Sequence, residues 1–201
     1  MSRKIGIYGG TFSPPHIGHV GAAESFAREV SLDEILIMPD YLPPHKQFDF
    51  LVTEEDRLEM CKRAFSHIEK AKISELEIKR GGKSYTSVTL EELTAPDTEL
   101  YFLCGTDMFL TLDSWFRAPV IFELATICYV RRECDSVNDL AIEQKTEEYK
   151  SRFGAKIIPV KTAVKEISSS ELREALKNRA DVSDFLPKSV YDYIVEKSLY
   201  L

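Results

Sequence analysis

The chain has 201 residues, 44% hydrophobic and 29% charged, which is room for one domain with a full core in the composition range of globular proteins. Its formal net charge of −7 argues against a nucleic-acid binder, which would carry a basic excess, but leaves room for a local basic pocket. No apolar run approaches the length of a membrane span, so no membrane association is expected.

The amino terminus, Met1-Ser2-Arg3-Lys4, leads directly into an apolar run and carries no signal-peptide pattern. Lys4–Tyr8 reads as a buried strand and Ile17–Val30 as a helix. Glu34–Met38 is a second buried strand, closed by Pro39 and a stiff proline-rich loop through Lys46. Thr53 caps the next helix, with Asp56 completing a capping box. That helix runs to Phe65, with Leu58, Cys61, Ala64 and Phe65 facing inward. Lys72–Ser74 and Leu76–Ile78 read as short strands, and Gly81-Gly82 as a turn. Tyr85–Leu93 is a helix, stopped before Pro96. Leu100–Cys104 is a central strand followed by Gly105, and a short helix leads from Asp107 to Trp115. A helical piece at Val120–Leu124 precedes a strand at Thr126–Val130 that ends in Arg131-Arg132. Asp139–Lys150 is a helix exposed on one face, and Lys156–Val160 a weaker strand. Helices at Ser168–Lys177 and, after Pro187, at Val190–Lys197 complete the chain.

Strands alternating with helices predict an α/β fold: a single domain over residues 1–201, with a doubly wound, Rossmann-like parallel sheet covered by helices on both faces and a small helical C-terminal part. The four cysteines form no C-x-x-C pair, which removes zinc-ribbon and thioredoxin readings. Cys104 and Cys128 sit in apolar runs as small buried hydrophobes, and a reducing cytoplasm is the expected location.

In such sheets function collects beyond the carboxyl ends of the strands. There the sequence places Gly9-Gly10-Thr11-Phe12-Ser13-Pro14-Pro15-His16-Ile17-Gly18-His19, then Pro43-Pro44-His45-Lys46, Gly105-Thr106-Asp107, Arg131-Arg132 and Ser168-Ser169-Ser170-Glu171-Leu172-Arg173. Glycines let a backbone approach a ligand, and a helix start offers free N–H groups and a positive dipole end. With two histidines on one face of the first helical turn, this set suits a polyphosphate. Arg173, placed in a first helical turn against the dipole, calls for an anion. Each feature also has a structural reading: His16 and His19 as a zinc pair without a nearby third ligand, or as caps; Lys46 as a surface residue; Ser168–Ser170 as a cap; Trp115 as packing.

Taken together, these residues resemble the bacterial nicotinate mononucleotide adenylyltransferases, nucleotidyltransferases with an H-x-G-H type motif. Gly9–His19 is similar to their GGTFDPxHxGH loop, Pro43–Lys46 to their PPHK loop, and Ser84-Tyr85-Thr86 with Thr89 and Leu90 to SYTxxTL. Gly105, Asp107 and Trp115 match GxD…W, Arg132 falls on a post-strand arginine, and Ile167–Arg173 matches ISSTxIR. Four positions depart: Ser13 and Val88 replace aspartate, Asp40 replaces asparagine and Ser170 replaces threonine.

The resemblance implies adenylyl transfer from ATP to nicotinate mononucleotide, giving nicotinate adenine dinucleotide and pyrophosphate in NAD biosynthesis. It implies that His16, His19, Lys46 and Arg173 act on the phosphates, and that Gly9, Gly10, Thr11, Phe12, Ser168 and Ser169 bind ATP. Thr86, Gly105, Asp107, Trp115, Phe116 and Arg132 would hold the mononucleotide, Trp115 by stacking on the pyridine ring. Mg²⁺ would arrive on ATP, with no metal ligands from the protein. The expected partners are therefore the two nucleotides, without nucleic acid or membrane; a homo-oligomer is left open. Rival readings are an adenylyltransferase for nicotinamide mononucleotide or phosphopantetheine, a class I aminoacyl-tRNA synthetase relative, and a nucleotide-binding protein without turnover. The chain is short and acidic for a synthetase.

Overall fold

The computed structural model describes residues 2–44, 52–132, 139–162 and 168–200, with residues 131 and 132 by backbone alone. The strands are β1 (Arg3–Gly10), β2 (Glu34–Pro39), β3 (Ala71–Ile73), β4 (Thr98–Gly105), β5 (Ala125–Arg132) and β6 (Ile157–Thr162). They form one parallel sheet in the order β3-β2-β1-β4-β5-β6. The chain builds outward from β1 to one edge, returns to the other side of β1 with β4, and builds outward again. This is the doubly wound, Rossmann-like arrangement, with its switch point between β1 and β4. The registers Gly10↔Pro39, Tyr8↔Leu103 and Gly105↔Val130 bring the carboxyl ends of β1, β2, β4 and β5 to a common edge.

Period-2 alternation in the strands feeds two cores. Tyr8, Ile35, Ile37, Tyr101 and Leu103 face one side, where α1 (Ile17–Glu29) and α2 (Glu54–Phe65) bury Phe26, Met60, Cys61 and Phe65. Ile7, Met38, Phe102 and Cys104 face the other side. There α4 (Thr86–Leu93), α5 (Thr106–Leu110), α6 (Ala118–Leu124) and α7 (Asp139–Phe153) contribute Leu90, Phe109, Phe122 and Tyr149. Each such side chain contributes roughly 1.5–3 kcal/mol by leaving water. The helices α8 (Ser169–Lys177) and α9 (Lys188–Lys197) join the first core through Leu172, Leu176, Val190 and Ile194. Gly6 sets how closely α1 lies on β1: a Cβ there would come within 2.4 Å of Leu32 Cδ1 and 2.7 Å of Phe26 Cε1.

One expected element is corrected. Leu76–Ile78 is not a strand but the start of α3 (Leu76–Arg80), closed by Lys79 N–H to Glu75 at 2.8 Å and Gly81 N–H to Glu77 at 3.0 Å. Three residues with apolar ends satisfy either periodicity, and the four-residue backbone hydrogen bonds show the helix. The Thr53–Asp56 capping box is present. Cys104 and Cys128 are buried free thiols, and burial pushes Cys128 up to about 12. No helix among the described residues is long and apolar enough to cross a membrane.

Candidate active site

The loop after β1 turns at Phe12, whose φ of 48° lies in the left-handed region. That conformation costs a bulky residue about 1–2 kcal/mol. Its burial offsets the cost: the ring packs edge-on against Tyr8 at 5.5 Å, His19 at 5.1 Å and Phe65 at 5.8 Å. The Phe12 side chain thus belongs to the core.

His16 is the N-cap of α1 and His19 its third residue. The His16 backbone N–H donates to His19 Nδ1 at 3.2 Å, and the two rings lie with centroids 3.7 Å apart. In the neutral ring this places the His19 proton on Nε2, as a donor. One ring nitrogen therefore caps the helix while the other carries an N–H. The capping and phosphate-binding readings of this pair are compatible.

The helix α8 docks on the same loop. Ser168 caps it reciprocally with Glu171, whose carboxyl those hydrogen bonds hold below its ordinary value. The Ser169 hydroxyl donates to the Pro14 carbonyl at 2.9 Å. Arg173, expected in the first turn, is the fifth residue of α8. It reaches back to donate to the Ser13 carbonyl at 2.7 Å and to Ser170 Oγ at 3.0 Å. A guanidinium near a helix N-terminus needs an acceptor, and the loop supplies it. Ser170, in place of threonine, keeps that hydroxyl.

Behind the loop lies an ion pair. Arg57 Nη1 meets Asp40 Oδ1 at 3.2 Å with none of the arginine side chain exposed, and also donates to the Thr11 carbonyl at 3.1 Å. The Thr11 hydroxyl donates to Asp40 Oδ2 at 2.9 Å. Asp40, where asparagine is common, thus faces the cleft while holding the loop. Sequence reasoning missed Arg57, although it shares a helical face with Cys61, Ala64 and Phe65.

A cleft of about 200 Å³ opens at the β1–β4 switch point, lined by Gly9, Gly10, Thr11, Asp40, Thr86, Gly105, Trp115 and others. A Cβ at Gly9 or Gly105 would meet nothing within 4 Å, so both glycines leave open space at the cleft wall. Trp115 presents its ring there, edge-on to Phe102 at 6.1 Å. Thr86 opens α4, whose first N–H groups need acceptors. That helix lacks a side-chain cap: Tyr85 stands at its N-cap and Val88 at its third position.

Glu77, also unforeseen, lines the cleft and is buried. It accepts from the Thr89 hydroxyl at 2.5 Å and from the Ser84 side chain, and Arg80 lies 3.7 Å away. Burial nevertheless leaves its carboxyl above the ordinary value. Ser84 Oγ in turn accepts the Tyr41 backbone N–H at 2.9 Å, which pins the Ser84-Tyr85-Thr86 segment to the proline-rich loop.

The remaining site residues are dispersed. Asp107 is exposed in the first turn of α5, and the half-exposed Phe116 ring packs at a tilt against Tyr85, centroids 4.4 Å apart; neither lines the cleft. Nor do His16, His19, Phe12, Ser168, Ser169 and Arg173, which gather beside it around Ser13 and Pro14. Lys46 lies outside the described residues, as does the side chain of Arg132.

Residues 7–175 match the family model described as cytidylyltransferase-like. A protein of Lachnoclostridium phytofermentans described as "Probable nicotinate-nucleotide adenylyltransferase" is 37% identical over 201 residues, covering 99% of this chain and all of the relative. A Listeria monocytogenes protein of the same description is 33% identical over 202 residues, covering 100% of this chain and 98% of the relative. Among solved structures, the Plasmodium falciparum nicotinic acid mononucleotide adenylyltransferase complexed with NaAD superposes with a TM-score of 0.78 at 21% identity, over 98% of this chain and 97% of that one. The chain belongs to the cytidylyltransferase-like family and, within it, to the nicotinate-nucleotide adenylyltransferases.

Proposed function

We propose that residues 1–201 act as one nucleotidyltransferase domain that transfers the adenylyl group of ATP to nicotinate mononucleotide, releasing pyrophosphate and forming nicotinate adenine dinucleotide. The observation that carries this reading is the pairing of two features at one sheet edge. A histidine-capped helix start with Arg173 beside it suits phosphates, and an adjoining cleft with Trp115 and Thr86 suits an aromatic acid.

The attacking 5′-phosphate is already an anion at neutral pH, so the step needs no protein base. Catalysis then consists of alignment and of donors aimed at charge developing on the α-phosphate and the leaving pyrophosphate. His19, with its proton on Nε2, and His16 would donate to those oxygens. Arg173 and Lys46 would neutralise phosphate charge, Arg173 with a fork of donors of which two hold its place. Gly9, Gly10, Thr11 and Phe12 would present backbone groups to the nucleotide, and Ser168 and Ser169 would hold ATP at α8. The cation is part of the substrate, MgATP, carried on the triphosphate. Among the described residues no three His, Cys, Asp or Glu side chains converge as a metal site.

Trp115 would stack on the pyridine ring, while Thr86, the first N–H groups of α4 and the backbone near Phe116 would receive its carboxylate. Gly105 and Asp107 would lie along the ribose, and Arg132 on the mononucleotide side. A donor-lined pocket favours the acid over the amide, whose own N–H groups would face donors. The test is pyrophosphate release from MgATP with nicotinate mononucleotide, nicotinamide mononucleotide and phosphopantetheine in parallel. Fastest release with the first is expected. ATP binding without release, or a preference for either other substrate, overturns the reading.

A further inference from the structure

Ser13 and Pro14 sit inside the loop that joins the glycines of β1 to His16. Pro14 and Pro15 have no N–H, so at those two positions the loop has no backbone donor. It is held instead through its carbonyls and one hydroxyl. Two of those bonds come from α8, as described. The third comes from Tyr200, beyond α9: its hydroxyl lies 2.9 Å from Ser13 Oγ, and the two residues are only 6% and 4% exposed. The bond spans 187 positions of sequence. Both hydroxyls are protonated at neutral pH, so the pair always has a proton to share, and burial raises the phenol further above its ordinary value. The Tyr200 ring is itself anchored in the core formed by α1, α2, α8 and α9.

We propose that Tyr200 is a positioning residue for the ATP-phosphate end of the site, acting through the Ser13 hydroxyl. The inference rests on the adenylyltransferase reading for its choice of ligand. The Ser13 carbonyl anchors Arg173 and the Pro14 carbonyl anchors Ser169, while His16 lies two residues beyond Pro14. A loop that shifts at Ser13 therefore moves the phosphate-facing groups of both α1 and α8 together. It leaves Trp115 and Thr86, on the opposite face of the sheet, where they are. Ser13, which stands where aspartate is usual in the family, acquires a role here: a neutral hydroxyl pairs with a buried phenol, where a carboxylate would be a buried charge.

The experiment compares wild type, Tyr200→Phe, Ser13→Ala and the double variant. It measures the dissociation constant for MgATP by titration calorimetry, KM for each nucleotide and the melting temperature. Each single variant is expected to weaken ATP binding about three- to tenfold, as the loss of one net hydrogen bond implies. KM for the mononucleotide should stay within about twofold, and the double variant should be no worse than the poorer single one, since both remove the same bond. Equal effects on both nucleotides, additive losses, or a lowered melting temperature with unchanged ATP binding would each overturn the proposal. Because ATP affinity is read without the second substrate, a wild type that binds ATP but releases no pyrophosphate would sink the functional reading and still leave the Tyr200 assignment tested.

Discussion

Arg57 and Asp40 form an ion pair at 3.2 Å with the arginine fully buried, directly behind Thr11 of the loop that follows β1. A buried pair is costly to assemble but costlier to break, because the survivor is left charged and dry. Arg57→Ala should therefore destabilise the protein by about 3–5 kcal/mol in urea unfolding. Asp40→Asn keeps one oxygen to accept from Arg57 and turns an amide NH₂ towards the Thr11 hydroxyl, which can rotate to accept it, so it should cost less than Arg57→Ala. Equal losses for the two variants would mean that the charge of Asp40, and not its hydrogen-bond geometry, holds the loop.

Gly6 carries a packing prediction. A methyl group there would collide with Leu32 and Phe26, both fully buried. Gly6→Ala should cost about 1–3 kcal/mol by overpacking, while leaving KM for both nucleotides unchanged. A variant as stable as wild type would show that α1 can lift from β1 freely.

Glu77 predicts a pH dependence. Burial raises its carboxyl above the ordinary value despite hydrogen bonds from Thr89 and Ser84 and the nearby Arg80. For a raised carboxyl the favourable contribution is complete below the unfolded pKa, where both states are neutral. It is lost as pH rises through the folded pKa. Wild type should thus be most stable relative to Glu77→Gln near pH 4, and lose ground to it as pH climbs towards 8. Urea unfolding of both proteins across that range reads the difference directly, and a trend of opposite sign would place a net positive field around Glu77.

Trp115 separates stacking from packing. If its ring receives the pyridine, Trp115→Ala should raise KM for nicotinate mononucleotide by about tenfold or more, in line with aromatic stacking on a planar base, and leave KM for ATP nearly unchanged. Parallel rises in both would return Trp115 to a packing role against Phe102.

Periodicity and punctuation made much of this molecule legible from sequence. The runs of β1, β2, β4 and β5, the Thr53–Asp56 cap and the glycines at strand ends fixed the sheet and its working edge, because local patterns encode them. Leu76–Ile78 is helical against its expected strand because three residues cannot distinguish the periods of helix and strand. The groups that hold the site in place escaped for a different reason. Arg57, Glu77 and Tyr200 are polar residues buried by partners far away in sequence, and hydrophobic patterns carry no mark for them. Thr89 is 12 positions from Glu77, Asp40 is 17 from Arg57 and Ser13 is 187 from Tyr200. Ser13, a bare departure from the family pattern in sequence, has a partner only in three dimensions.

The most direct test of the proposed function falls on His19, whose Nδ1 caps α1 and whose Nε2 would carry the proton offered to ATP. His19→Ala should lower kcat for pyrophosphate release from MgATP and nicotinate mononucleotide by about 10²–10³, the usual worth of a donor aimed at developing charge, with the fold intact by circular dichroism. A loss below about tenfold would contradict the account, because His19 would then be a helix cap and nothing more.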